Sequence, residues 1–228
     1  IKHENFTGTT QLKLDNSGRV LIGTTTEGHA NADDFTVSSS GDTGLTIRSG
    51  TSNLGNIYFS DATSGDGEYR GIVQYEHAND KLNFGTAAGT RLSIDSSGRL
   101  LLNMSTSVTG GKFQVNNPFN TFFSSSNDTQ GCVLQLQKTR STSPDGNTIL
   151  QDGDTIGELQ FKGTTGSASV VGANIKAVVN GTPGSGNDLP TDLVFRLMPD
   201  GSGSTLERMR IDSSGRLLLG TTTEGQAN

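Results

Sequence analysis

The chain has 228 residues, of which only 30% are hydrophobic, with no Trp, 31 Gly and a formal net charge of -6. Apolar content this low sits just above the range in which chains stay disordered, and an acidic balance with dispersed Lys and Arg argues against a nucleic-acid partner. No apolar run approaches the roughly 20 residues of a membrane span, so membrane insertion is not expected, and the lone Cys132 excludes an internal disulfide or a multi-thiolate metal site.

The first recognisable element is "LDNSGRVLIG", Leu14 to Gly23, followed by "TTTEGHAN", Thr24 to Asn31. The ten-residue stretch returns as "IDSSGRLLLN" at Ile94 to Asn103 and as "IDSSGRLLLG" at Ile211 to Gly220, where "TTTEGQAN" follows it. Its turn glycines, Gly18, Gly98 and Gly215, are spaced 80 and 117 residues apart, too unequal for a simple solenoid. The repeat therefore marks module ends. Residues 1–31 read as the end of a preceding module with a hairpin collar, 32–107 as a β-module closing in hairpin 91–103, and 108–228 as a second module closing in hairpin 208–220. The chain begins at Ile1 and is expected to be a segment of a longer, serially repeating molecule.

Within the modules the same landmarks recur in the same order. A Phe-x-hydrophobic strand comes first, "FTV" at Phe35 and "FQV" at Phe113. An alternating strand follows, "LTI" at Leu45 and "LQL" at Leu134. Next stand "NIYF" at Asn56 and "ELQF" at Glu158, then "KLNF" at Lys81 and "DLVF" at Asp192. The extra length of the second module falls in Gly/Ser/Pro/Asp stretches, 141–154 and 180–190, which read as loop insertions. "GTPGSGND" at 181–188 belongs to one of them and lacks the Lys of a phosphate loop. Cys132 falls in "GCVLQLQ" and is expected to be a buried strand residue.

The closing hairpins have a definite local logic. Leu92 and Ile94 face one way and Ser93 the other, as a half-buried strand of period two requires. Asp-Ser-Ser-Gly then supplies a turn, because Asp and Ser bond forward amides and Gly takes positive φ. The return strands, Val20 to Ile22, Leu100 to Leu102 and Leu217 to Leu219, place aliphatics on both faces. Each fully buried leucine contributes roughly 1.5 to 3 kcal/mol, so something must cover the second face. It is either another strand of the same chain or the equivalent hairpin of neighbouring chains, and the second is preferred. On that reading Leu21, Leu101 and Leu218 form an oligomer core, with Ile94 and Leu100 covering each other within the chain. Asp15 with Arg19, Asp95 with Arg99 and Asp212 with Arg216 bracket the turns. They are candidate ion pairs across the hairpin or between chains, against the plain alternative of solvated charges.

The run "LERMRIDSSGR" through "LLLGTTT" resembles the linker hairpin of phage tail-fibre and tailspike-like proteins, particularly of marine and cyanobacterial phages. The residues that carry the resemblance are Met209 to Ile211, Ser214 and Gly215, Gly220 to Thr222, and the strands at Phe35 and Phe113. It implies an all-β, elongated fibre segment of repeated β-hairpin and sandwich-like modules, intertwined as a homotrimer in the virion tail fibre, outside the cell. Implied partners are copies of itself, other virion proteins and a host surface glycan or receptor. The implied function is structural, linking a virion to a host-recognition tip. A bacterial surface filament or adhesin subunit is the alternative reading, and a polysaccharide-degrading tailspike a further one.

Little in the chain suggests catalysis. The 23 Asp and Glu sit mostly in turns, and aromatics at 6% offer few platforms for sugar rings. Tyr58, Tyr69 and Tyr75 read as half-buried strand residues. The loop "SDATSGDGE" holds Asp61, Asp66 and Glu68 without the spacing of an EF-hand, and His3, His29 and His77 are scattered. No enzyme activity, cofactor or metal is expected.

Overall fold

The computed structural model describes residues 12–223 except 126, 128 and 130. The first part of the leading collar, and most of "TTTEGQAN", lie outside the described residues. The chain forms two compact units, Ile1–Thr121 and Phe122–Asn228. The first contains β1 (Leu12–Leu14), β2 (Val20–Ile22), β3 (Phe35–Val37), β4 (Leu54–Phe59), β5 (Gly71–Glu76), β6 (Lys81–Thr86), β7 (Gly89–Ile94), β8 (Leu100–Leu102) and β9 (Phe113–Val115). The second contains β10 (Thr155–Thr164), β11 (Ser169–Val179), β12 (Thr191–Leu197), β13 (Leu206–Ile211) and β14 (Leu217–Leu219). Among the described residues the regular structure is all β apart from one 3-10 turn at Gly65–Tyr69.

Among the described residues three sheets result, ordered β1-β2-β3, β4 through β9, and β10 through β14. Neighbours are antiparallel except β2 with β3 and β8 with β9, which are parallel. A parallel pair cannot be joined by a tight turn, so the chain must cross over one face of the sheet. In the first unit residues 103–112 make that crossing over Leu101. Gln114, beside Leu101 in register, fixes it there: its amide donates to Ser107 Oγ and to the Thr109 and Gly111 carbonyls, and its oxygen accepts the Val108 amide. Thr36 does the same beside Leu21 with a single bond, accepting the Gly28 amide at 3.1 Å.

This folding decides the fate of the three consecutive aliphatics. Leu21 and Leu101 are fully buried, covered by their own chain. They are not available to other copies, and the expectation that Leu21 and Leu101 form an oligomer core is corrected; Leu218 is half-buried. The period-two argument located the doubly apolar strand, but a crossover rich in Ser, Thr and Gly, with Met104 and Val108 its apolar residues, has no periodic apolar signal to say which face it covers. Leu101→Ala is expected to destabilise the first unit by about 2 to 3 kcal/mol, at the low end for a buried leucine because the crossover can settle into part of the cavity. Urea unfolding followed by circular dichroism checks this, and a loss under about 0.5 kcal/mol would contradict the burial argument.

Other expectations shift as well. "LTI" and "LQL" form no strand, and Leu45, Ile47, Leu134 and Leu136 are exposed. Alternation reports an extended segment with one apolar side, and no edge of its own chain takes these segments up. Cys132 lies in the second of them and is exposed, not buried. Tyr69 sits in the 3-10 turn, where its hydroxyl donates to Asp66, while Tyr58 and Tyr75 are on strands and more exposed than expected, 45% and 36%. Strands β5 and β11, each the second strand of its sheet, were not among the sequence landmarks.

A candidate assembly face

The site of interest is a surface. Because side chains alternate along a strand, the register of each sheet sorts its residues into two faces. On one face of the six-stranded sheet, Ile57, Val73, Phe84, Leu92, Leu102 and Val115 stand side by side across all six strands. The neighbouring row is Gly55, Tyr75, Leu82, Ile94, Leu100 and Phe113. In the five-stranded sheet the same two rows are Leu159, Ile175, Phe195, Met209 and Leu219, and Gly157, Ala177, Leu193, Ile211 and Leu217. The small sheet shows Leu12, Ile22 and Val37 beside Leu14, Val20 and Phe35.

These faces are apolar from edge to edge, and they are open. Ile57, Phe84, Ile94 and Leu102 are among the exposed large hydrophobics of the first unit; Leu159, Leu193, Ile211, Leu217 and Leu219 are among those of the second. Buried hydrophobics among the described residues are few: Leu21, Leu101, Leu150, Val179 and Val194. The accessible surface is 17115 Å² for 23.9 kDa. A compact monomer of that mass exposes about 9,900 Å², and two separate compact halves about 12,000 Å². The chain leaves uncovered several thousand Å² that a self-sufficient fold would bury.

The two modules share a second detail of this face. A Cβ at Gly55 would meet Ile47 Cγ2 at 3.7 Å, and one at Gly157 would meet Leu136 Cβ at 2.6 Å. Each extended segment therefore crosses its own sheet at the glycine of the first strand. Beside Ile47 a hollow of about 220 Å³ is lined by Ile57, Val73, Tyr75 and Leu82.

The opposite faces are polar and hydrogen-bonded. Ser93 Oγ donates to Asn83 Oδ1 at 2.7 Å, Asn83 Nδ2 to Gln74 Oε1 at 3.3 Å, and Gln74 Nε2 to Asn56 Oδ1 at 2.9 Å, along the row that ends in Leu101 and Gln114. In the second unit Asp192 is fully buried on this side. It accepts from Asn180 Nδ2 at 2.7 Å and the Ser213 amide at 2.9 Å, and it pairs with Arg210, which also holds Glu207. Nothing about an isolated "TDLVF" marks its Asp as buried, since the partners come from 12 to 21 residues away.

Gly18, Gly98 and Gly215 have φ of +82°, +68° and +79°. Asp95 locks its turn with both oxygens: Oδ1 accepts the Ser97 and Arg99 amides, each at 3.0 Å, and Oδ2 accepts Arg99 Nε at 2.7 Å. Asp15 with Arg19 and Asp212 with Arg216 repeat this bonding, at 2.7 and 2.8 Å for the guanidinium contacts. The pairs close their own turns. Arg19 reaches further, donating to Asp33 at 2.9 Å.

Charge follows from this bonding. The Arg19 side chain holds the Asp15 carboxyl below the usual range, and the Arg216 amide and guanidinium do so for Asp212. At Asp95 partial burial works upward, but the Arg99 and Ser97 bonds outweigh it. Arg140 and Lys138 depress Asp154, and Arg210 depresses Glu207. Carboxyls depressed in the folded state contribute stability that is complete above their unfolded values, near 4, and lost as pH falls through the folded ones. The melting temperature is therefore expected to hold from pH 7 to about 4.5 and to fall below pH 4, and a profile flat to pH 2 would contradict these pairings.

Among the described residues no three His, Cys, Asp or Glu gather as a metal cluster. Asp61, Asp66 and Glu68 stay in the 60–70 turn, His77 packs edge-on to Tyr75, and His29 Nδ1 accepts the Asn31 amide.

No family model and no curated protein matches the chain. Solved structures do. The carboxy-terminal domain of the bacteriophage T5 L-shaped tail fibre superposes with a TM-score of 0.55 at 11% identity, covering 97% of this chain and 93% of that one. The fold is that of a phage tail-fibre domain. The same T5 domain with its intramolecular chaperone domain gives a TM-score of 0.57 at 11% identity, over 96% of this chain and 64% of that one. At such identity the tail-fibre likeness is one of backbone architecture, independent of any shared side-chain motif.

Proposed function

We propose that this chain is a structural shaft segment of a phage tail fibre, in which three copies close their apolar sheet faces on one another. The three sheets, β1 to β3, β4 to β9 and β10 to β14, would each supply such a face to the shaft, which links other virion proteins to a host-recognition tip. The observation that carries this reading is the open apolar face, continuous across all six strands from Ile57 to Val115. Monomers rarely expose such a patch, and obligate assemblies bury surface on the scale of the several thousand Å² left open here. The tail-fibre fold supports the virion setting, and three-fold closure is what the repeated hairpin's resemblance to phage fibres implies.

The role is mechanical and requires no reaction. Polar loops such as 60–70 and 180–190 connect the strands and are the natural contacts for host surface glycans. Antibodies raised against the purified chain are expected to label the fibres of intact virions in electron micrographs. Labelling of bacterial surfaces in uninfected cultures would overturn the proposal in favour of a bacterial filament. Loss of viscosity when host polysaccharide is incubated with the chain would overturn it in favour of a tailspike enzyme.

A further inference from the structure

The three collars are alike in sequence but unlike in their third strand. In the first, β3 lies parallel to β2 with Phe35 beside Val20, Thr36 beside Leu21 and Val37 beside Ile22. In the second, β9 lies on β8 in the same register: Phe113 beside Leu100, Gln114 beside Leu101 and Val115 beside Leu102. The third collar has β13 and β14, and among the described residues nothing pairs with the outer edge of β14.

That edge is presented in the form the other two use. Val20 N donates to Asp34 O at 2.7 Å and Leu100 N to Lys112 O at 2.7 Å; on the return, Ser38 N donates to Ile22 O and Asn116 N to Leu102 O. In the third collar Gly220 N donates to Arg208 O and Asp212 N to Arg216 O, the same hairpin pattern as Asn103 N to Arg91 O and Asp95 N to Arg99 O. Strand alternation then turns the Leu217 and Leu219 amides outward, as it does those of Leu100 and Leu102. The side chains agree. Leu217 and Leu219 are 58% and 66% exposed, against 39% for Leu102, and the middle leucine is fully buried in the second collar but half-buried in the third. Beside Leu218 a hollow of about 210 Å³, lined by Asp212, Arg216, Thr222 and Thr223, lies on the face that Thr36 and Gln114 occupy in the other collars.

We propose that the outer edge of β14 is an acceptor for one extended segment, added as a parallel strand with the pattern Phe-polar-Val and an acidic residue two positions before the Phe. Phe and Val fall beside Leu217 and Leu219 and extend the apolar face by one strand. The polar middle residue takes the place of Thr36 over the hollow beside Leu218. The acidic residue meets Arg216 as Asp33 meets Arg19, so charge complementarity selects the first collar's strand type over that of the second, which has Gly111 at this position. Main-chain bonds supply affinity and alternate side chains supply selectivity, as in other cases of strand addition.

The test uses the whole chain extended after Asn228 by Ala-Asp-Asp-Phe-Thr-Val-Ser-Ser, the order of residues 32–39. "TTTEGQAN" differs from "TTTEGHAN" at one position only, so the extension reproduces the first crossover and holds the strand at high effective concentration. A control carries the same extension with its Phe and Val replaced by Ser. Amide hydrogen exchange at Leu217 and Leu219 is expected to slow by about tenfold or more in the first chain relative to the control. Equal rates in the two extended chains would overturn the proposal. So would amides already protected in the unextended chain, since the edge would then be occupied by something else. The number of copies in the assembly does not enter this readout.

Discussion

Replacing Ile94 and Leu102 together by Asp is expected to leave the protein as single copies in solution. Both side chains are 39% exposed and stand in the two apolar rows of the six-stranded sheet. In a single chain a carboxylate at either position keeps its water, so the hairpin of β7 and β8 can still form. In the proposed assembly the same carboxylates would lose that water against the apolar rows of another copy, and each unpaired buried charge costs several kcal/mol. Two such charges in every copy exceed what an interface of this kind recovers. Circular dichroism should retain the β signature while the sedimenting mass falls to that of one chain. A double variant that kept the wild-type mass would place the interface elsewhere.

Asp192→Ala is expected to destabilise the second unit by about 3 to 5 kcal/mol, the usual cost of removing one partner of a buried ion pair. The carboxylate is fully buried, and its loss strands the Asn180 amide, the Ser213 N–H and one side of the Arg210 guanidinium. Asp192→Asn keeps the shape and one acceptor, so it should cost less. Denaturant midpoints of the two variants measure the difference, and an Ala variant as stable as the wild type would mean that Arg210 is satisfied by Glu207 alone. The effect reaches the third collar, because Ser213 belongs to its turn.

What could be read in the sequence was mostly local. Asp-Ser-Ser-Gly fixes its turn through bonds within five residues, so the hairpins, their glycines and the Asp–Arg pairs followed from short-range chemistry. Phe35 and Phe113 were recognisable because a Phe-x-Val strand opens the landmark series of each module, although β3 and β9 pair back onto β2 and β8 of the preceding collar. The side on which Leu101 is covered depends on a crossover rich in Ser, Thr and Gly, which has no periodicity to read. "LTI" and "LQL" carried the right alternation and the wrong conclusion, since extended backbone becomes a strand only beside a free edge. β11 was obscured by Gly172 and Asn174 in its centre, although Asn174 is a buried hydrogen-bonded member of the polar face. The candidate assembly face was visible as alternation in the strands, yet its openness emerged only when the sheets were seen to be crossed by no more than a short extended segment at Gly55 and Gly157 among the described residues.

Sedimentation equilibrium of the unmodified chain at micromolar concentration tests the central claim most directly. A single species at three times the 23.9 kDa chain mass is the predicted result. A stable monomer, with the face from Ile57 to Val115 still exposed to water, would contradict it.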